Sequence, residues 1–99
     1  MDQCSLAPEE KDERGREIRR IATAGLLARS RDAQAVRLTY RPSDSTEEAL
    51  RDLIRREREC CPFLDFELRS SVDELTLEIS APPSGSAVLD AIYERSAPR

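Results

Sequence analysis

The sequence contains no histidine. Histidine is the most frequent general base in enzymes and the commonest metal ligand in proteins. Its absence excludes Ser-His and Cys-His nucleophile pairs. Any metal site in this chain would therefore have to be built from sulfur and carboxylate ligands. We accordingly expect no enzymatic activity.

Long apolar segments are also absent, which argues against a membrane-spanning helix. The first residues, "MDQCSLAPEEKDER", are acidic and lack the apolar core of a secretory signal. These two features predict a cytoplasmic protein without a membrane partner.

An excess of basic residues is missing as well, because 16 Lys and Arg stand against 20 Asp and Glu, giving a net charge of -4. A nucleic-acid-binding protein normally has a basic face. The pairs Arg19-Arg20 and Arg55-Arg56 are interleaved with acids, a pattern typical of a solvated, mixed-charge helix surface. The charge pattern therefore predicts no nucleic-acid partner.

The length of 99 residues suits one domain with a single modest core. Hydrophobic residues make up 38% and charged residues 36% of the chain. The apolar residues recur periodically, which favours a folded domain over a disordered one. We predict a single domain over residues 1–99, with residues 1–7 as a mobile N-terminal arm.

Three segments have the apolar spacing of amphipathic helices. They are residues 8–29, 43–60 and 86–96. In the second segment, Ser45 and Glu48 form the signature of a capping box. Pro62 disfavours helical backbone at Cys61, so this helix should end near Cys60.

Three further segments alternate apolar and polar residues, as half-buried strands do. They are residues 33–41, 62–70 and 73–80. The element order is then α-β-α-β-β-α. We predict a two-layer α+β fold, a variant of the ferredoxin-like arrangement, in which helices cover one face of a three-stranded sheet. The uncovered face should carry polar residues, namely Arg37, Thr39, Asp65, Glu67, Thr76 and Glu78.

The stretch "ECCPF", residues 59–63, places two cysteines at the predicted end of the second helix. Two thiolates are suitable ligands for a soft ion, although this pair lacks the spacing typical of a zinc site. The helical spacing puts Cys61 on the buried stripe and Cys60 on its flank. Glu57 lies one turn before Cys61 on the same stripe, where its carboxylate could accept a thiol proton or act as a weak metal ligand. Plain core packing of small apolar residues is the alternative for both cysteines.

Cys4 lies in the N-terminal arm and is the third cysteine. If the first helix packs against the second, this arm could bring Cys4 to Cys60 and Cys61 and complete a site of three sulfurs. A free thiol in a disordered terminus is the alternative. The negative end of the helix dipole disfavours a reactive thiolate at the cysteine pair, whereas a bound cation would favour it. A role as metal ligands is thus preferred to redox chemistry.

The segments "ERECCPFLDFEL" and "LTLEISAP", with "CSL" near the start, resemble a family of small bacterial proteins. Related segments occur near, or fused to, MerR-type regulators that respond to heavy metals in mercury and arsenic resistance. The resemblance covers nearly the whole chain and is sharpest at "ECCPF". It implies a thiol-based role with toxic soft metals, carried by Cys4, Cys60 and Cys61. The chain has no helix-turn-helix pattern, so it would represent the sensing or sequestering part alone.

These observations lead to the hypothesis of a cytoplasmic domain that binds a thiophilic ion such as Hg, As or Cd. Cys60 and Cys61 would be the ligand pair, Cys4 a third ligand, and Glu57 an additional partner. The alternatives are a protein-interaction module, such as the subunit of a homodimer, with a structurally buried cysteine pair, and a thiol-redox protein.

Overall fold

A computed structural model of the chain describes residues 8–60 and 63–96, with the side chains of residues 13–59 and 63–96. The predicted N-terminal arm, residues 1–7, lies outside the described residues. The helices are α1 (Pro8–Gly25), α2 (Asp44–Cys60) and α3 (Ser86–Arg95), and a 3-10 turn at Pro83–Gly85 precedes α3. The strands are β1 (Leu26–Arg31), β2 (Ala35–Tyr40), β3 (Asp65–Ser70) and β4 (Leu75–Ser80).

The four strands form one antiparallel sheet in the order β1-β2-β4-β3. The chain therefore repeats the order helix-strand-strand twice before α3, and the two hairpins meet where β2 pairs with β4. The predicted α+β class is confirmed. The predictions of three strands and of the order α-β-α-β-β-α are wrong, since the observed order is α-β-β-α-β-β-α.

The additional strand is β1, and its residues 26–29 were predicted from the sequence as the end of the first helix. The helix ends at Gly25, and the chain then pairs with β2, with Arg29 opposite Leu38. The register shifts between Leu26 and Ala28. Leucine, alanine and arginine are good helix formers, so the local sequence could not distinguish this edge strand from a continued helix.

The hydrophobic core lies between the helices and one face of the sheet. The residues of the central strands β2 and β4 on that face are almost fully buried, namely Val36, Leu38, Tyr40, Leu75, Leu77 and Ile79. Leu50 of α2 and Leu89 of α3 are fully buried against them. The opposite face carries the predicted polar residues, and one of its ion pairs joins Arg37 to Glu78 at 3.0 Å. The prediction of one covered and one polar face is thus confirmed.

The edge strand β1 is held to α3 by two arginines that point to the helical side of the sheet. The guanidinium of Arg29 lies 4.0 Å from the ring centroid of Tyr93, and its Nη1 donates a hydrogen bond to the Tyr93 carbonyl. Nε of Arg31 donates to Asp90 at 2.9 Å.

No helix in the described ranges is both long enough and apolar enough to cross a bilayer.

Candidate functional site

The cysteines of the predicted metal site cannot be placed relative to one another. Cys4 and Cys61 lie outside the described residues, and Cys60 is the last residue of α2, with its side chain outside them as well. Their convergence on one site stays a prediction. Among the described residues, no group of three or more histidine, cysteine or acidic side chains is arranged to hold a metal ion.

Glu57, the fourth predicted site residue, has a different partner in the structure. Its carboxylate accepts a hydrogen bond from Nη1 of Arg14 in α1. Both side chains are largely buried where α1 packs on α2. Nε of Arg14 is also 3.8 Å from a carboxylate oxygen of Glu17. The position of Glu57 on an otherwise apolar stripe is explained by this ion pair between helices.

A second ion-pair group joins the same helices through Arg56, the residue before Glu57 in α2. The guanidinium of Arg56 binds the carboxylate of Glu17 and lies 2.8 Å from Asp52. The hydrogen bond to Glu17 raises the pKa of Arg56 above its ordinary value. The hydrogen bond from Arg55 lowers the pKa of Asp52. The groups at Glu57 and Arg56 together fix the relative position of α1 and α2.

The outward surface of α1 carries a different kind of charge. Arg16, Arg19 and Arg20 are exposed and form no ion pair with any residue whose side chain is described. Their spacing of three and four residues places them on one side of the helix. The buried Ile21 and Ala22 face the other way. We call these three residues the α1 arginine face.

Many other charged residues neutralise one another. Within the described part of the chain, seven arginines are engaged in ion pairs with seven acidic residues. The arginines are Arg14, Arg31, Arg37, Arg51, Arg55, Arg56 and Arg69, and the acids are Glu17, Glu47, Asp52, Glu57, Glu67, Glu78 and Asp90. The net charge of the chain is thus a poor guide to the charge of a particular surface. The α1 arginine face was missed because acidic residues interleave with Arg19 and Arg20 in the sequence.

No protein-family model matches the chain. The chain is similar to the small ribosomal subunit protein uS8 of Orientia tsutsugamushi (strain Ikeda), with 34% identity over 77 residues. The similar segment covers 76% of this chain and 58% of that protein. The chain therefore corresponds to little more than half the length of this relative.

This similarity corrects several predictions made from the sequence. The prediction of a soft-metal-binding protein in heavy-metal resistance is wrong, because the similarity is to a ribosomal protein. The exclusion of nucleic acid as a partner is also contradicted, since the similar protein is one of the small ribosomal subunit. The predicted cytoplasmic location is confirmed by the same similarity. The resemblance of the "ECCPF" segment to proteins associated with metal-responsive regulators stays a prediction.

Proposed function

We propose that this protein is an RNA-binding module without catalytic activity, similar to part of a small-subunit ribosomal protein. The support is the 34% identity to uS8 over 77 residues, which covers three quarters of the chain. A ribosomal relative favours a role in binding over one in catalysis. Since the chain spans only 58% of that relative, the proposal concerns RNA binding and not the complete role of a ribosomal protein.

The α1 arginine face is the structural observation that carries this proposal. Arginine presents a planar fork of donors that matches the geometry of a phosphate group. Fifteen of the 16 basic residues in the chain are arginine. Arg16, Arg19 and Arg20 lie side by side on an exposed helix surface, so that they can contact neighbouring phosphates of one RNA strand or groove.

The overall negative charge does not prevent such binding. At about 0.1 M salt, interactions between exposed charges are largely screened beyond about 10 Å. Acidic residues elsewhere on the surface therefore repel RNA only weakly, and many of them are already paired with arginines. The local charge of the α1 arginine face decides whether phosphates bind there.

The proposal is tested by fluorescence anisotropy with labelled fragments of small-subunit ribosomal RNA. The test variant combines Arg16→Gln, Arg19→Gln and Arg20→Gln. The control variant combines Arg51→Gln, Arg55→Gln and Arg69→Gln, which removes the same charge from exposed arginines on other surfaces. Both variants change the net charge equally, so a difference between them reports the position of the binding surface.

We expect the unchanged protein to bind RNA with an affinity that falls as salt increases. Each lost phosphate contact should reduce the slope of log affinity against log salt by about 1. The triple variant of α1 should therefore lose up to about three units of slope, while the control variant keeps nearly the full slope. Equal losses in both variants, or no RNA binding at low salt, would contradict the proposal.

A further inference from the structure

A cleft of about 460 Å³ lies between the three helices and the covered face of the sheet. At its base lie almost fully buried side chains of the two central strands, namely Leu38, Tyr40, Leu77 and Ile79. Its walls include Ile18 of α1, Ile54 of α2 and Ile92 of α3. This volume falls in the range of about 300 to 1,000 Å³ that is typical of small-molecule sites.

The cleft opens to solvent on the exposed side of α3. Ala87 and Ala91 of α3 line the cleft and are exposed, so they lie at its opening. Larger apolar residues at these two positions would cover the opening of the cleft.

Within the described part of the chain, three charged residues line the cleft, and their charges do not sum to zero. Arg14 and Glu57 form an ion pair with each other. Arg95, near the end of α3, contributes a second guanidinium. It lies against the backbone of Gly15, where an added Cβ would collide with its Nη1. The glycine thus allows Arg95 to lie against α1, and the described residues of the lining carry one net positive charge.

We propose that this cleft binds a single-chain amphipathic carboxylate, such as a medium-chain fatty acid. The apolar chain would lie against the partly buried Ile18, Val88 and Ile92. The carboxylate would bind the guanidinium of Arg95. An apolar cleft with one net positive charge is complementary to a ligand with an apolar body and one negative charge. This site is separate from the α1 arginine face and does not depend on RNA binding.

The length of the ligand chain provides a direct measure of burial. Each buried methylene contributes about 0.8 kcal/mol, which corresponds to about a fourfold change in dissociation constant. Calorimetric titration of the full chain with hexanoate, octanoate and decanoate should therefore show tighter binding as the ligand lengthens. Affinity that does not depend on chain length would overturn the proposal.

The role of Arg95 is tested by Arg95→Gln, with Arg41→Gln as the matched control. Arg41 is exposed and does not line the cleft. We expect Arg95→Gln to weaken decanoate binding by about tenfold, as for the loss of one charged hydrogen bond. Binding of 1-decanol, which has no charge, should change much less. Equal weakening of both ligands would show that Arg95 does not bind the carboxylate.

The location of the site is tested by Ala91→Trp, with Ala28→Trp as the matched control. Ala91 lines the cleft and is exposed, so the larger ring can extend across the opening without displacing the core. Ala28 lies on the opposite face of the sheet. We expect Ala91→Trp to abolish decanoate binding and Ala28→Trp to leave it unchanged. Methyl resonances of Ile18 and Ile92 should shift on binding. Absence of saturable binding to the unchanged protein, or shifts elsewhere only, would overturn the proposal.

Discussion

The guanidinium of Arg14 in α1 binds the carboxylate of Glu57 in α2, although the two residues are 43 positions apart in the chain. Their side chains are only 14% and 12% exposed. An isolated charge at such a position would be unfavourable, because it loses water without gaining a partner. Each residue therefore depends on the other, and the pair fixes how α1 packs on α2.

Replacing Glu57 by glutamine should reduce the free energy of unfolding by about 1 to 3 kcal/mol. The change keeps the size of the side chain but leaves the largely buried Arg14 without its main negative partner. Urea unfolding followed by circular dichroism measures this loss. The control is Glu67→Gln, which breaks the pair of Glu67 with Arg69, whose side chains are 58% and 68% exposed. The Glu67→Gln substitution should reduce the free energy of unfolding by no more than about 0.5 kcal/mol. An equal loss in both variants would contradict the role of the buried pair.

The carboxyl group of Asp52 should titrate below its ordinary pKa of 3.8, chiefly because Arg55 donates a hydrogen bond to it. A lowered pKa in the folded state means that this group stabilises the fold above the ordinary pKa. That stabilisation is lost as the pH falls through the folded-state pKa. Carbon-13 NMR of the carboxyl group against pH measures the value directly.

In the Arg55→Gln variant, the pKa of Asp52 should move back toward 3.8. Arg51→Gln is the control, because Arg51 binds Glu47 and not Asp52. If both variants shifted Asp52 equally, the hydrogen bond from Arg55 would not be the cause.

Burial raises the pKa of the Tyr40 hydroxyl far above its ordinary value of 10.0. The folded state favours the neutral hydroxyl more than the unfolded state does. The resulting stability of the fold is fully present below the ordinary pKa and is lost as the pH rises through the folded-state pKa. We expect the urea midpoint of the protein to fall as the pH rises above about 10. The Tyr40→Phe variant keeps the ring but cannot ionise there, so its midpoint should fall less steeply. The difference between the two urea midpoints at pH 8 measures the effect of the substitution on packing and is subtracted at higher pH. Parallel pH profiles of the two midpoints would contradict this prediction.

Gly85 is buried at the turn before α3 and has no room for a side chain. A Cβ at this position would lie 2.9 Å from Cβ of Ala81 and 3.0 Å from the ring of Phe63. Gly85→Ala should therefore reduce the free energy of unfolding by about 1 to 3 kcal/mol. At Gly25, the last residue of α1, the nearest such atom is 3.5 Å away, at Cβ of Arg41.

Gly25→Ala serves as the comparison, and we expect it to stabilise the fold by about 0.4 to 1 kcal/mol, because alanine restricts the unfolded chain. Thermal unfolding of both variants tests this contrast. A stable Gly85→Ala protein would show that the turn can move away from Phe63.

Several elements could be predicted from the sequence because their signals are local. The predicted helix over residues 43–60 agrees closely with α2, Asp44–Cys60. The strands β2 and β4 each alternate buried and polar residues, and this alternation alone identified their inward faces. The capping residue was misplaced, since the hydroxyl of Ser43, not Ser45, accepts a hydrogen bond from the backbone N–H of Thr46, at 3.4 Å.

The candidate surfaces were much harder to predict than the elements. Arg19 and Arg20 were visible in the sequence, but their interleaved acids suggested a neutral helix surface. In the structure Glu17 is engaged with Arg56 of another helix, which leaves the arginines on the outward side. The pairing of residues far apart in the chain therefore decides the charge of this surface.

The sequence by itself determined the α+β class, the two later helices and the one-sided burial of the sheet, because these follow from local periodicity. Only the tertiary structure decided that residues 26–31 form a strand, since their pairing with β2 outweighs a local preference for helix. It also decided that Glu57 is the partner of Arg14 and that the helices leave a cleft above the sheet. These features depend on contacts between residues distant in sequence, and no local pattern contains them.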